Sequence, residues 1–152
     1  MKKHIIVLFL LTASISSFSQ TCEERENKLL EGFGGFSAGM LYNTYGLIGS
    51  ISDGFAHEAY DPLTVSNLMD AQKKVADNLV KMLEDLLKGG YFKDIKDQDF
   101  AGSLITILKG LKNQAQLLED YSDNKSRQKQ DAYEDQRKQN WSAISKLMGI
   151  EE

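Results

Sequence analysis

Asp53, His57 and Asp61 fall at successive four-residue intervals with Glu58 beside them, so oxygen and nitrogen ligands gather here at helical spacing. Residues four apart share one face of a helix, and such a set could offer carboxylates and an imidazole to one divalent cation. The donor set is thin. His57 is the only histidine beyond His4, and zinc sites want further nitrogen or sulfur ligands that this chain lacks. Asp61 stands before Pro62, where a helix cap is the better use of its carboxylate. An Asp53–His57 ion pair or hydrogen bond at a helix end is therefore expected in place of a metal.

Other reactive constellations are missing. No Gly-x-Ser-x-Gly elbow occurs, and Cys22, the only cysteine, lies too near the chain start to be paired with His57. Gly32-Phe33-Gly34-Gly35 lacks the lysine and preceding strand of a phosphate loop, and no Cys-x-x-Cys-His run offers haem attachment. Carboxylate pairs such as Glu84-Asp85, Glu119-Asp120 and Glu134-Asp135 fall in charged helical stretches where solvation is the usual role. No catalytic residue, metal or cofactor is assigned, and an enzyme is not expected.

Residues 32–52 carry no charged side chain, and Gly32, Gly34, Gly35, Gly39, Gly46, Gly49 and Gly54 enrich this region in glycine. Each glycine inside a helix costs about 1 kcal/mol relative to alanine, so packing or binding must offset the loss. At about 100° per residue, Leu30, Phe33, Leu41, Ile48, Ile51 and Phe55 share a core side. Gly35, Gly39, Tyr42, Gly46, Gly49, Asp53, His57 and Tyr60 share the other. Gly35, Gly39, Gly46 and Gly49 mark a face for close packing, either against neighbouring helices of the same chain or against a partner. Tyr42, Tyr45, Asp53 and His57 are the candidate ligand or partner site. Twenty-one uncharged residues could span a bilayer, but Tyr42-Asn43-Thr44-Tyr45 and the scarcity of leucine argue against insertion.

The elements that carry these residues are helical. Pro62 is the only proline, and apolar residues recur at three and four positions with no alternating run. Helices are expected over about 23–59, 62–88, 97–121 and 125–148. Asp61-Pro62 opens the second, Gly89-Gly90 closes it, Asp97 or Asp99 starts the third, and Ser122-Asp123-Asn124 separates the third from the fourth. The fourth is polar from Lys125 to Gln139, with sparse apolar contacts at Ala132 and Tyr133. Trp141, Ile144, Leu147 and Met148 are expected to anchor its end, leaving its front loosely packed. The fold class is an all-α, up-down antiparallel four-helix bundle.

Met1-Lys2-Lys3-His4, the apolar run Ile5 to Leu11 and the small residues of Ser17-Phe18-Ser19 form an export signal over 1–19, cleaved before Gln20. The remainder, 20–152, is expected to be one domain, large enough for a core without disulfides. Loss of Lys2 and Lys3 from 18 basic residues leaves 16 against 22 acidic ones, a formal charge of −6 that argues against nucleic acid or anionic lipid. Ser19-Gln20-Thr21 fits poorly before a lipid-bearing cysteine. The expected address is periplasmic or secreted, with an outer-membrane lipoprotein anchored at Cys22 as the minor alternative and membrane contact expected only in that case. The function expected is non-catalytic binding of a protein or small ligand. Self-association as a homo-oligomer or membrane activity through the glycine face is the competing role.

Overall fold

The computed structural model describes residues 21–150, so the expected signal over 1–19 and its cleavage before Gln20 lie outside the described residues. Four α-helices carry the described chain: α1 (Cys22–Ala56), α2 (Pro62–Lys88), α3 (Ile95–Asp123) and α4 (Arg127–Met148). No strand occurs among the described residues. The protein is an all-α helical bundle.

The described chain divides into two units, one ending at Phe36 and the other beginning at Ser37. In the first, Thr21 and Glu24 form a reciprocal capping box. The Thr21 N–H donates to Glu24 Oε2 at 3.1 Å and the Glu24 N–H donates to Thr21 Oγ1 at 3.2 Å. Leu29 and Phe36 are largely exposed.

In the second unit each helix end has a chemical cause. α1 stops at Ala56, three residues short of the expected end, because the Gly54 carbonyl accepts from the N–H groups of Ala59 (2.8 Å) and Tyr60 (3.3 Å). The chain turns there with Glu58 at φ 60°, and the Tyr60 ring lies where a side chain on Gly54 would stand. Asp61 caps α2, its Oδ1 accepting from the Thr64 N–H at 2.7 Å, with Pro62 in the first turn. The left-handed residue after α2 is Gly90, at φ 68°. Asp94 caps α3, displacing Asp97 and Asp99 from the expected role, by accepting from the Lys96 N–H at 2.8 Å. α3 also runs through Ser122, and Ser126 caps α4 by accepting from the Lys129 N–H at 3.3 Å.

Side-chain pairs set the directions. Ser66 with Glu119, Lys73 with Gln116, Asp77 with Lys112 and Glu84 with Lys109 show α2 and α3 antiparallel. Lys129 with the Asp120 carbonyl, Asn113 with Gln136 and Gln114 with Asn140 show the same for α3 and α4. α1 meets α4 through Tyr42, Tyr45 and Trp141, and α3 through the edge-to-face pair Phe55–Tyr121. α3 is central, burying Leu104, Ile107, Leu108, Leu111 and Leu118. α1 contributes Leu41, Ile48, Ile51 and Phe55, and α2 contributes Val65, Met69, Ala76, Val80 and Leu83.

The expected anchoring of α4 holds at Ile144, which is fully buried, but not at Trp141 or Met148, and the front half of the helix is anchored after all. Tyr133, in the polar front half, is 1% exposed and is among the largest fully buried side chains, whereas Trp141 is 39% and Met148 36% exposed. The inward line of α4 is Tyr133, Asn140 and Ile144, spaced seven and four, so a polar residue occupies the middle of the stripe. Asn140 donates to Gln114 Oε1 at 2.8 Å and accepts from Gln136 Nε2 at 3.0 Å. Its carboxamide lies against the bare backbone of Gly110.

Two outcomes are expected. Gly110→Ala pushes a methyl into an amide held from two sides and should lower unfolding free energy by about 1–3 kcal/mol in urea titration. The second concerns Lys73 and Glu119, each 15% exposed and paired across α2 and α3. The Lys73 ammonium and the Ser66 hydroxyl hold the Glu119 carboxyl below its ordinary range. A depressed carboxylate stabilises above its unfolded pKa and loses that contribution as pH falls through the folded one. Glu119→Gln should therefore be less stable than the parent near neutrality, with the gap closing as pH falls through and below the ordinary glutamate range. Burial pulls Lys73 down, but Glu119 and Asp70 outweigh it and raise the ammonium, so the alkaline loss falls only above its ordinary range.

Candidate functional site

The outer corner between α1 and α4 holds an aromatic groove. Its lining is Tyr42, Asn43, Tyr45, Gly46, Leu47 and Ser50 from two turns of α1, with Trp141 from α4. The volume is about 570 Å³, within the range of small-molecule sites. The core stripe of α1 places these residues. Leu41 and Ile48 are fully buried, so Tyr42, Gly46 and Ser50 turn away from the core and Tyr45 points toward α4. Trp141 follows the buried Asn140 and is carried outward by that neighbour's position.

The rings touch. Tyr45 and Trp141 have centroids 5.6 Å apart at 32°, and Tyr42 and Trp141 have centroids 6.2 Å apart at 56°. Both distances fall in the range where tilted aromatic pairs attract. Tyr42 stays 48% and Trp141 39% exposed, so the cluster shows much of its aromatic surface to solvent. No charged side chain lines it. Arg137 lies behind Tyr45. Burial pulls its guanidinium down, but the Tyr45 hydroxyl, Tyr133 and Glu134 hold it above its ordinary value. Its Nη1 lies 3.5 Å from Glu134 Oε2.

The four residues singled out by sequence do not form one site. Tyr42 and Tyr45 meet at the groove, while Asp53 lies eight residues beyond Tyr45, about 12 Å along the helix. Asp53 and His57 are exposed at the C-terminal end of α1. His57 Nδ1 lies 2.8 Å from the Asp53 backbone carbonyl, so the imidazole meets the helix end and its expected partner, the Asp53 carboxylate, is not the group in contact. Among the described residues no group of three His, Cys, Asp or Glu side chains is placed to hold a metal ion.

The expected close-packing face is not one surface: Gly49 is buried and Gly39 part-buried, whereas Gly35 and Gly46 are exposed. A methyl built on Gly35, Gly39, Gly46 or Gly49 meets nothing within 4 Å. Gly46 belongs to the side of α1 opposite its core stripe, which is where no neighbouring helix of the bundle sits. The glycines that neighbouring side chains crowd are Gly54, Gly89 and Gly110. Trp141 is the member that sequence reasoning missed. A clue lay in its place after Asn140: alignment of Tyr133, Asn140 and Ile144 turns residue 141 out.

No helix among the described residues is long and apolar enough to cross a membrane. No protein-family model, curated protein or solved structure matches the chain.

Because Gly46 is exposed and has free space, Gly46→Ala should raise unfolding free energy by about 1 kcal/mol. A higher Tm in calorimetry checks it, and a lower one would mean that the backbone there is strained or contacted.

Proposed function

We propose that this chain is an exported helical-bundle protein that acts by non-catalytic binding of a ligand at the groove of Tyr42, Tyr45 and Trp141. The observation carrying this is a partly exposed three-ring cluster from two helices beside an open, uncharged groove. Isolated surface aromatics are ordinary, but a contiguous aromatic patch with a bare glycine beside it is a feature of recognition surfaces. Export is proposed from the Lys-Lys start, the apolar run and Ser19-Gln20, with a free N-terminus at Gln20.

Self-association is the second role, and the observation favouring it is the exposed Gly46, with nothing within 4 Å of its Cβ position, beside the exposed Tyr42 and Leu47. Light scattering separates the two, since a monomer at working concentration removes self-association.

The test is a thermal-shift screen of the purified protein against neutral oligosaccharides, proline-rich peptides, small aromatics and lipid vesicles. A ligand that binds only the folded state raises Tm by mass action. At least one class should raise Tm for the parent and fail to do so for Tyr42→Ala. If no class shifts the parent, or if every shift survives Tyr42→Ala, the groove is not the binding site.

A further inference from the structure

Resting on the binding site proposed above, we infer that the groove takes a neutral carbohydrate, with a sugar ring laid across the Tyr42–Trp141–Tyr45 surface. Charge makes the first selection. None of the seven lining residues is ionised, and Arg137, the cation behind Tyr45, already meets Glu134 and the Tyr45 hydroxyl. An anionic ligand would find no positive charge among the lining residues, so phosphates and acidic sugars are disfavoured.

Ring geometry makes the second. A ligand ring inserted between two aromatic faces needs about 7–8 Å between them, one contact of about 3.5–4.0 Å on each side. The centroids stand only 5.6 and 6.2 Å apart, so no slot opens between Trp141 and either tyrosine. Proline-rich segments dock in aromatic-lined grooves through their pyrrolidine rings, and without a slot those rings have no pocket to enter. A ligand must instead lie on top of the cluster.

Polarity makes the third. The aromatic faces carry negative quadrupoles and attract the weakly positive C–H groups on one face of a pyranose. The hydroxyls at the ring edge need neutral donors and acceptors. The Asn43 carboxamide, the Ser50 hydroxyl and the Tyr42 hydroxyl supply both, and Asn43 and Ser50 are exposed. A purely apolar ligand would leave these groups stranded beside it, whereas a sugar uses both kinds of surface. Gly46 has a role in this arrangement. With nothing within 4 Å of its Cβ position, it leaves the floor between the tyrosines and Ser50 clear, and a side chain there would lift a flat ligand off the rings.

Trp141 is the only tryptophan in the chain, so intrinsic emission at long wavelength reports on this groove. The purified full chain is titrated with neutral hexasaccharides of β-linked glucose, xylose, mannose and N-acetylglucosamine, and separately with a polyproline peptide and with adenosine. At least one saccharide should shift or quench Trp141 emission saturably at millimolar concentration or below, with calorimetry giving the same affinity. Gly46→Leu keeps the reporter, puts a helix-favouring side chain into open space, and should weaken that binding at least tenfold without lowering Tm. Tyr42→Ala should do the same. If no saccharide changes the emission, or if the change survives Gly46→Leu, the carbohydrate assignment is overturned. Saturable binding of the peptide or adenosine alone would overturn it too while leaving the groove a binding site, whereas silence from every probe, lipid vesicles included, would remove both.

Discussion

Asn140 rests its carboxamide on the bare backbone of Gly110, and the rest of the α3–α4 corner depends on that contact. A buried amide left without partners is costly, so α4 is held where Asn140 reaches Gln114 of α3, while Gln136, one turn earlier on α4, orients the same carboxamide. Apolar packing alone tolerates small slides of one helix along another. The Asn140–Gln114 pair does not, because sliding α4 along α3 breaks that hydrogen bond and leaves both amides buried without it. Advancing α4 by one residue would turn it by about 100° and bring Trp141 inward, and the aromatic groove would vanish.

The two long interfaces are built differently. α2 and α3 meet over an apolar stripe edged by ion pairs, the largely buried Lys73–Glu119 and the exposed Lys112–Asp77 and Lys109–Glu84. The exposed pairs add little stability. α1 has no such charged edge from Ser37 to Ser52, and its approach to α4 is made by rings. Ion pairs and amide pairs between helices thus belong to the α2–α3 and α3–α4 sides, with Arg137 and the Tyr45 hydroxyl as a polar contact between α4 and α1. The uncharged side of α1 is left for tyrosines, glycines and small polar residues, which makes a carbohydrate-sized groove compatible with a chain of net negative charge.

Much of the fold was legible along the chain. Asp61-Pro62 and Gly89-Gly90 are backbone chemistry, and they bound α2 at the expected residues. The spacing of Leu41, Ile48, Ile51 and Phe55 correctly places the buried side of α1. The site was half legible. Tyr42 and Tyr45 stood out because the residues around them carry no charge, but Asp53 and His57 were joined to them only by a shared helix face. A face runs the whole length of a helix, and nearness along it also requires nearness in rise. α4 was misread at Trp141 and Asn140 because hydrophobicity ranks Trp above Asn, whereas Asn140 goes in where its carboxamide donates to Gln114 of α3.

Local chemistry by itself determined four helices, their approximate limits and the core stripe of α1, because helix periodicity, caps and glycine stops act within a few residues of one another. Tertiary structure alone decided that Asn140 and Tyr133 go in and Trp141 comes out. It also decided that Gly110, rather than the glycines of α1, is pressed by a neighbouring helix. Those outcomes depend on pairings between residues 26 or more positions apart, as between Gln114 and Asn140, and no periodicity within a single helix records the partner.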